Sequence, residues 1–357
     1  MHHLKQFFRL LLTSILFWPA AFCLFICIRF VGYGEEQSIY QVTNDLSFIS
    51  GWLHFGLLLG VVIGIPYAII EFLFEKNITK NLYLGLVILL KTIIYFLILM
   101  VSFLFLIRLI EIDLDRDLPN KISWWLLNDM FWLATVYFFI CLFIFQFVKL
   151  TTEKFGKGVL LNSLFGKYRN PIEENRLFMF IDLQSSTSLA EKLGHYKYSQ
   201  LIQDCFFDLN KVLRKYNAEI YQYVGDEAVI SWSFNEGIKN NRCLDLYFHF
   251  IDLLHKRSKY YTKSYGTEPF FKAGVHGGKL MVAEVGMLKK ELAYHGDVIN
   301  TTARIQGQCN IHNQSCLISE DVLSVLQLNK KYTSSEIGDL LLKGKQETLK
   351  ILAINKA

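Results

Sequence analysis

The stretch YQYVGDEAVISW, residues 221–232, holds two apolar runs that meet at Gly225-Asp226. Its flanks are β-branched and aromatic, and Gly and Asp are turn residues, so it predicts a tight β-hairpin. Two-residue hairpin turns usually run Asp-Gly or Asn-Gly. Here the order is reversed, and a second acid, Glu227, follows at once. A Gly-Asp tip in isolation is a plain turn. It becomes a cation site only if another carboxylate arrives beside it.

Such a carboxylate lies upstream. LFMFID, residues 177–182, reads as a buried strand that ends on Asp182. A polar run, LQSST, follows, and Ser188-x-x-Glu191 has the form of a capping box that opens a helix. The free N–H groups of a helix start would face phosphates, with Asp182 facing a cation. On this stretch alone Asp182 reads first as a simple helix cap. If the hairpin pairs beside this strand, Asp182 and Asp226 converge at one sheet edge. Two adjacent carboxylates repel unless a cation joins them, and Mg²⁺ prefers one or two carboxylates plus substrate phosphates.

Further along, helical periodicity covers residues 195–216 and 236–265. Residues 271–285, with Gly274, Gly277 and Gly278, read as one or two strands, 298–308 as a short helix, and 320–328 as another. Strands follow at 332–337 and 340–354. The order βα(α)ββαβ with additions predicts an α+β sheet with helices packed on one face. GDVINTTARI, residues 296–305, sets Asn300 and Arg304 four apart on one helix face. Arg stabilises a charged phosphoryl transition state and Asn fixes a ribose oxygen, although alone the two are also an ordinary surface pair.

The chain ahead of this domain has another character. Of 357 residues 52% are hydrophobic and 19% charged, and the apolar excess lies before residue 148. Four apolar segments, 7–31, 48–74, 82–107 and 124–148, each exceed the ~20 residues that cross a bilayer. The first is too long for a signal-peptide core and no small-residue cleavage pattern follows, so it reads as an anchor. Pro19 and Pro66 fall inside these helices, as membrane bundles tolerate. The expected domains are therefore 1–148, a four-helix transmembrane domain, 149–173, a connector, and 174–357, a globular domain.

Lys5, Arg9, Lys76, Lys80, Lys149, Lys154 and Lys157 flank one side of the spans, while Glu35, Glu36 and Asp45 occupy a loop without Lys or Arg. Positive-inside bias then puts both termini and the globular domain in the cytoplasm, with the plasma (inner) membrane as the expected site. Trp124 and Trp125 fit an interfacial belt. The sequon Asn77-Ile78-Thr79 falls on the cytoplasmic side and is read as chance. None of the seven cysteines lies in an outer loop or has zinc-finger spacing, which predicts free thiols. The net charge of +5 follows from the positive-inside bias, and no aromatic-interleaved basic run argues for nucleic acid.

Five segments in series resemble the catalytic domain of the class III nucleotidyl cyclases, the adenylate and guanylate cyclase family. FIDLQSST is similar to the first metal-binding segment and YVGDE to the second. GVHGGKLMVAEVG is similar to the glycine-rich strand region, YHGDVINTTARI to the helix with the transition-state Asn and Arg, and LLKGKQE to the Lys-Gly-Lys turn that touches the triphosphate. The resemblance covers about residues 174–354 and implies a ferredoxin-like palm. It implies that Asp182 and Asp226 hold two Mg²⁺ or Mn²⁺ ions, that Asn300 orients the ribose and Arg304 neutralises developing charge, and that Lys345, or Lys343 as second choice, meets the triphosphate. It further implies sites between two catalytic domains, one giving the aspartates and the other Asn and Arg. One chain with both sets then forms a head-to-tail homodimer.

The base-reading positions depart from the family. Gln222 and Ala293 stand where adenylate cyclases typically carry Lys and Asp or Thr, and guanylate cyclases Glu and Cys. Gln222 donates and accepts, so it can read an adenine edge. Ala293 offers no side-chain hydrogen bond, which leaves a backbone group or Tyr294 to substitute. ATP is the expected substrate and 3′,5′-cyclic AMP the product, with GTP or a pyrimidine nucleotide open. The alternatives are a catalytically silent nucleotide-binding signalling domain and a diguanylate cyclase. The latter's motif has two glycines before its acids, and Val224 replaces the first. A transporter regulated by the soluble part is a third reading, in which Lys91 and Glu71 mark a pathway; against it, they pair for packing or lie near the cytoplasmic interface. The outer loops are too short for a folded sensor, so the expected stimulus is a lipid, a small membrane ligand or a partner protein.

Overall fold

A computed structural model describes residues 2–36, 46–74, 82–114, 129–155, 165–287, 290–328, 330–342 and 347–357. The chain divides into two compact units, Met1–Leu150 and Thr151–Ala357.

The first unit contains helices α1 (His2–Glu36), α2 (Leu46–Leu73), α3 (Leu84–Leu114) and α4 (Asp129–Phe155), the last continuing into the second unit. All four are long and apolar enough to cross a membrane, over Phe7–Ile28, Gly56–Leu73, Gly85–Phe105 and Phe131–Lys149. Pro19 and Pro66 lie inside α1 and α2. Gly56, Gly60 and Gly64 line the face of α2 that meets α1. A Cβ on Gly60 would stand 2.3 Å from the Pro19 backbone, so here two helix backbones touch. Between the helices, Trp18 stacks on Phe138 at 4.9 Å and Tyr67 on Tyr95 at 4.8 Å. Leu12, Leu16, Val101 and Phe143 point outward, an arrangement that suits lipid and not water.

Glu71 is fully buried. Lys91 Nζ donates to both of its carboxylate oxygens at 2.9 Å, and Lys149, Tyr95 and Gln146 also donate to it. The two charges that the sequence left between pathway and packing are thus paired with each other, as buried charges require. The loop lysines Lys76 and Lys80, the sequon and Trp124 and Trp125 lie outside the described residues.

The second unit runs β1 (Ile172–Leu183), α5 (Ser186–Leu213), β2 (Glu219–Val224), β3 (Glu227–Ser233), α6 (Phe234–Ile238), α7 (Arg242–Lys256), α8 (Ser258–Tyr265), β4 (Phe271–Val285), β5 (Glu291–His295), α9 (Asp297–Ile311), β6 (Cys316–Ser319), α10 (Glu320–Leu323), β7 (Tyr332–Leu340) and β8 (Leu349–Lys356). The eight described strands form one sheet in the order β2-β3-β1-β4-β6-β8-β7, with β5 paired to the end of β4. All pairs are antiparallel except β4 with β6. The first four strands with α5 and α7 make a βαββαβ unit in the order 2-3-1-4, the ferredoxin-like arrangement.

β1 explains why the sheet is covered on both sides. Its residues 177–181 are all buried, so both of its faces meet protein. Leu177, Met179 and Ile181 join a core with Leu201, Cys205 and Leu209 of α5 and Leu246 and Phe250 of α7. Phe178 and Phe180 join the opposite cluster with Val298 of α9. The expectation of helices on one face is therefore corrected. The two helices of the βαββαβ unit share a face, but α9, one of the additions, covers the other. Gly274 of β4 permits it, since a Cβ there would stand 2.4 Å from the Gln306 backbone nitrogen.

Local details also differ. α5 starts at Ser186 behind Ser185, which has a left-handed backbone and no side-chain cap bond, so Ser188 and Glu191 sit inside the first turns. Gly194, at φ 71° and ψ 161°, then kinks the helix. β5 and β6 were not expected, and the helix expected over 320–328 is the short α10. All seven cysteines are free.

Candidate active site

In the hairpin, Val224 pairs with Glu227 and leaves Gly225 and Asp226 as a two-residue turn. Gly225 has φ 62°, whereas Asp226 is not among the positive-φ residues. A positive φ at the first central position alone is the type II′ pattern, which asks for Gly first. That is why the order is Gly-Asp, and it leaves an ordinary L-residue at the tip to carry a carboxylate.

β3 lies against β1 with Glu227 opposite Asp182, and β4 lies on the other side with Lys272 opposite Asp182. Directly paired residues point to the same sheet face, so Glu227, Asp182 and Lys272 form a row, with Asp226 beside it. The acids sense one another. Burial raises the Asp182 carboxyl above its usual range, and the Asp226 charge adds to the shift. Burial, then the charges of Asp182 and Asp226, push Glu227 up to about 7. Tyr198 of α5 faces the same acids, and its phenol is raised by burial and by Asp226. Gln306 of α9 donates from Nε2 to Asp182 Oδ2 at 3.4 Å.

Asn300 and Arg304 stand one turn apart on α9, Asn300 exposed and Arg304 half-buried. Arg304 Nη1 is buried and has no hydrogen-bond partner. Among the described residues no hydrogen bond or ion pair joins Asn300 or Arg304 to Asp182 or Asp226. Within one chain the structure brings the two aspartates together, and the Asn–Arg pair makes no bond to them. Gln222 is exposed on β2, and Ala293 lies on β5 opposite Ala283. Tyr294, the expected substitute for Ala293, packs its ring against Phe178 at 5.2 Å and Tyr221 at 4.7 Å, with the Arg176 guanidinium 5.1 Å from its centroid. Burial pushes its hydroxyl up to about 12. Lys343 and Lys345 lie outside the described residues.

The donors suit a hard cation. They are carboxylate oxygens, and among the described residues no three His, Cys, Asp or Glu side chains converge as a complete ligand set. Two carboxylates that repel each other, with the remaining positions open, match Mg²⁺ or Mn²⁺ completed by substrate phosphates. They do not match a closed zinc or calcium cage. The unpartnered Arg304 nitrogen likewise fits an anion brought from outside the chain.

The family model for the adenylate and guanylate cyclase catalytic domain matches residues 170–355, more than half of the chain. The chain belongs to that family. A curated relative is the protein named Adenylate cyclase 2 of Rhizobium meliloti (strain 1021), 35% identical over 208 residues. That match covers 58% of the chain and 57% of the relative. Two solved structures of a bacterial light-regulated adenylyl cyclase align with TM-scores of 0.52 and 0.53 at 16% and 15% identity. They cover 62% and 64% of this chain and 65% and 66% of theirs, and they show the shared fold.

Three residues of this candidate site have no clear local signal in the sequence. Glu227 reads there only as a neighbour of Asp226, and neither Lys272 nor Gln306 belongs to a motif. Pairing Asp182 against both flanking strands would have found Lys272, but nothing local in ARIQG signals where the Gln306 amide goes.

Proposed function

We propose that the chain is a membrane-anchored adenylate cyclase that converts ATP into 3′,5′-cyclic AMP and pyrophosphate. The observation that carries this reading is the pair Asp182 and Asp226, brought so close at one end of the sheet that the Asp226 charge helps raise the Asp182 carboxyl, in a family whose chemistry needs a cation there. Two Mg²⁺ or Mn²⁺ ions on these carboxylates would supply Lewis-acid activation of the ribose 3′-hydroxyl and charge neutralisation on the triphosphate. Asn300 orients the ribose. The 3′-hydroxyl gives up its proton to solvent as its oxygen attacks the α-phosphorus in line, and the bond from that phosphorus to the β-bridging oxygen breaks, releasing pyrophosphate. Arg304 Nη1 donates to the α-phosphoryl oxygens as their charge grows. Lys345, with Lys343 as second choice, meets the leaving pyrophosphate.

Within one chain Asn300 and Arg304 make no bond to the aspartates, and Arg304 Nη1 is left without a partner, which supports a site shared between two copies, arranged head-to-tail. The domains follow as 1–148 for the membrane, 149–173 for the connector and 174–357 for catalysis, with both termini cytoplasmic in a plasma (inner) membrane. The helices regulate the catalytic pair through the connector, because an interfacial site responds to small rotations. Cysteine cross-links placed along 149–173 should change activity at some positions; no change at any position would refute this link.

The main test is incubation of the detergent-purified full chain with ATP, GTP, CTP and UTP separately, with Mg²⁺ or Mn²⁺, and chromatography of the products. One cyclic nucleotide, absent with Asp226→Ala, is expected, and its base reports what Gln222 and Ala293 select. Nucleotide binding without any product would favour a silent signalling domain.

A further inference from the structure

Lys272 and Asp182 stand directly opposite each other across β1 and β4. Opposite charges in that position ordinarily pair across the strands. Here they do not. Lys272, buried at 6% exposure, turns its Nζ to Asn310 Oδ1 at 3.0 Å. Asp182 instead receives Gln306 Nε2 at 3.4 Å. Gln306 and Asn310 lie one turn apart on α9 and reach the same end of the sheet. The helix is fixed there by the contact of Gly274 with the Gln306 backbone and by the thiol of Cys309, which donates to Ala273 O at 3.3 Å.

The geometry points to Gln306 and Asn310 as positioning residues that keep Asp182 free for a cation by holding Lys272 away from it. The inference rests on the reading of Asp182 as a metal ligand. An ammonium bonded to Asp182 would neutralise the charge that a divalent cation needs and compete with it. An amide N–H orients the carboxylate and leaves its charge intact. Gln306 is 7% exposed with its backbone pinned, so its amide is placed before any ligand arrives. Asn310 supplies the complementary half, an amide oxygen that satisfies the buried ammonium at a distance from Asp182. Hydrogen-bond partners behind metal ligands typically set about 10–100-fold in affinity.

The test titrates Mn²⁺ alone into the full chain in detergent and follows free Mn²⁺ by electron paramagnetic resonance. A second readout is the Mn²⁺ concentration that half-saturates cyclase activity. Gln306→Leu should weaken Mn²⁺ binding about tenfold. Asn310→Leu should weaken it as well, because Lys272 then swings to Asp182, and adding Lys272→Gln should restore affinity to within about twofold of the wild type. A merely structural defect in α9 would not be rescued by removing a lysine. Unchanged binding in Gln306→Leu and Asn310→Leu, or a loss in Asn310→Leu that survives Lys272→Gln, overturns the inference. If Asp182→Asn binds Mn²⁺ like the wild type, the metal reading beneath it falls first. Loss of binding in Asp182→Asn with both amide variants silent removes the inference alone.

Discussion

At the scale of single residues, Asp226 and Arg304 carry the sharpest expectations. Asp226→Ala should cut turnover by at least about a hundredfold, since metal polarisation contributes several kcal/mol to such transition states. Its thermal unfolding should be nearly unchanged, because the turn keeps Gly225 and the strand pairing on either side. Arg304→Ala should lower kcat by about 10²–10³-fold with a smaller change in KM, as removal of a donor to developing charge does. Steady-state kinetics against MgATP would check both. The aspartates were legible in the sequence for a physical reason: one closes a buried strand and the other occupies a turn whose glycine must come first. The fate of Tyr294 was not legible. Its ring is committed to Phe178 and Arg176 of β1 and Tyr221 of β2, and only the assembled sheet brings those together.

At the scale of elements, α9 decides how the domain is built. It is the helix on the second face of the sheet, and it reaches that face because β4 carries no side chain at Gly274. Gly274→Ala should therefore destabilise the catalytic domain by about 1–3 kcal/mol, the usual cost of overpacking, since the new methyl would meet backbone and not a flexible side chain. Thermal unfolding of the full chain with and without the substitution would measure it. The periodicity of 298–308 announced the helix, but which face it covers depends on a glycine in another strand. β5 escaped notice because five residues ending in Tyr-His give too short a pattern to separate from a loop. In the membrane unit the same holds of Gly56, Gly60 and Gly64: they stand four apart on α2, but that their face meets the backbone of α1 is visible only once the helices are packed.

At the scale of the whole molecule, the proposal of a site shared between two copies leads to a complementation experiment. Asp182→Ala and Arg304→Ala chains, each inactive alone, should recover about a quarter of wild-type activity when co-expressed in equal amounts. Half of the dimers are then mixed, and each mixed dimer has one of two sites intact. Recovery near zero would rule out sites shared head-to-tail. The membrane unit makes an independent prediction. Glu71→Ala leaves Lys91 and Lys149 without their common carboxylate and should destabilise the helix bundle by roughly 3 kcal/mol, the scale for breaking a buried pair from one side. Detergent-induced unfolding followed by circular dichroism would read it, and Glu71→Gln, which keeps the shape, should recover part of the loss.

The two-residue turn at Gly225-Asp226 also bears on how such chains can diverge. Surface loops commonly accept insertions and deletions at little cost. This one has no slack. One added residue would either displace the tip carboxylate by about 3.3 Å or slip β2 against β3 and turn every side chain of one strand to the wrong face. Homologues that keep the reaction should therefore vary in the identity of residues around the turn, as Gln222 already does, while the number of residues between Val224 and Glu227 stays at two.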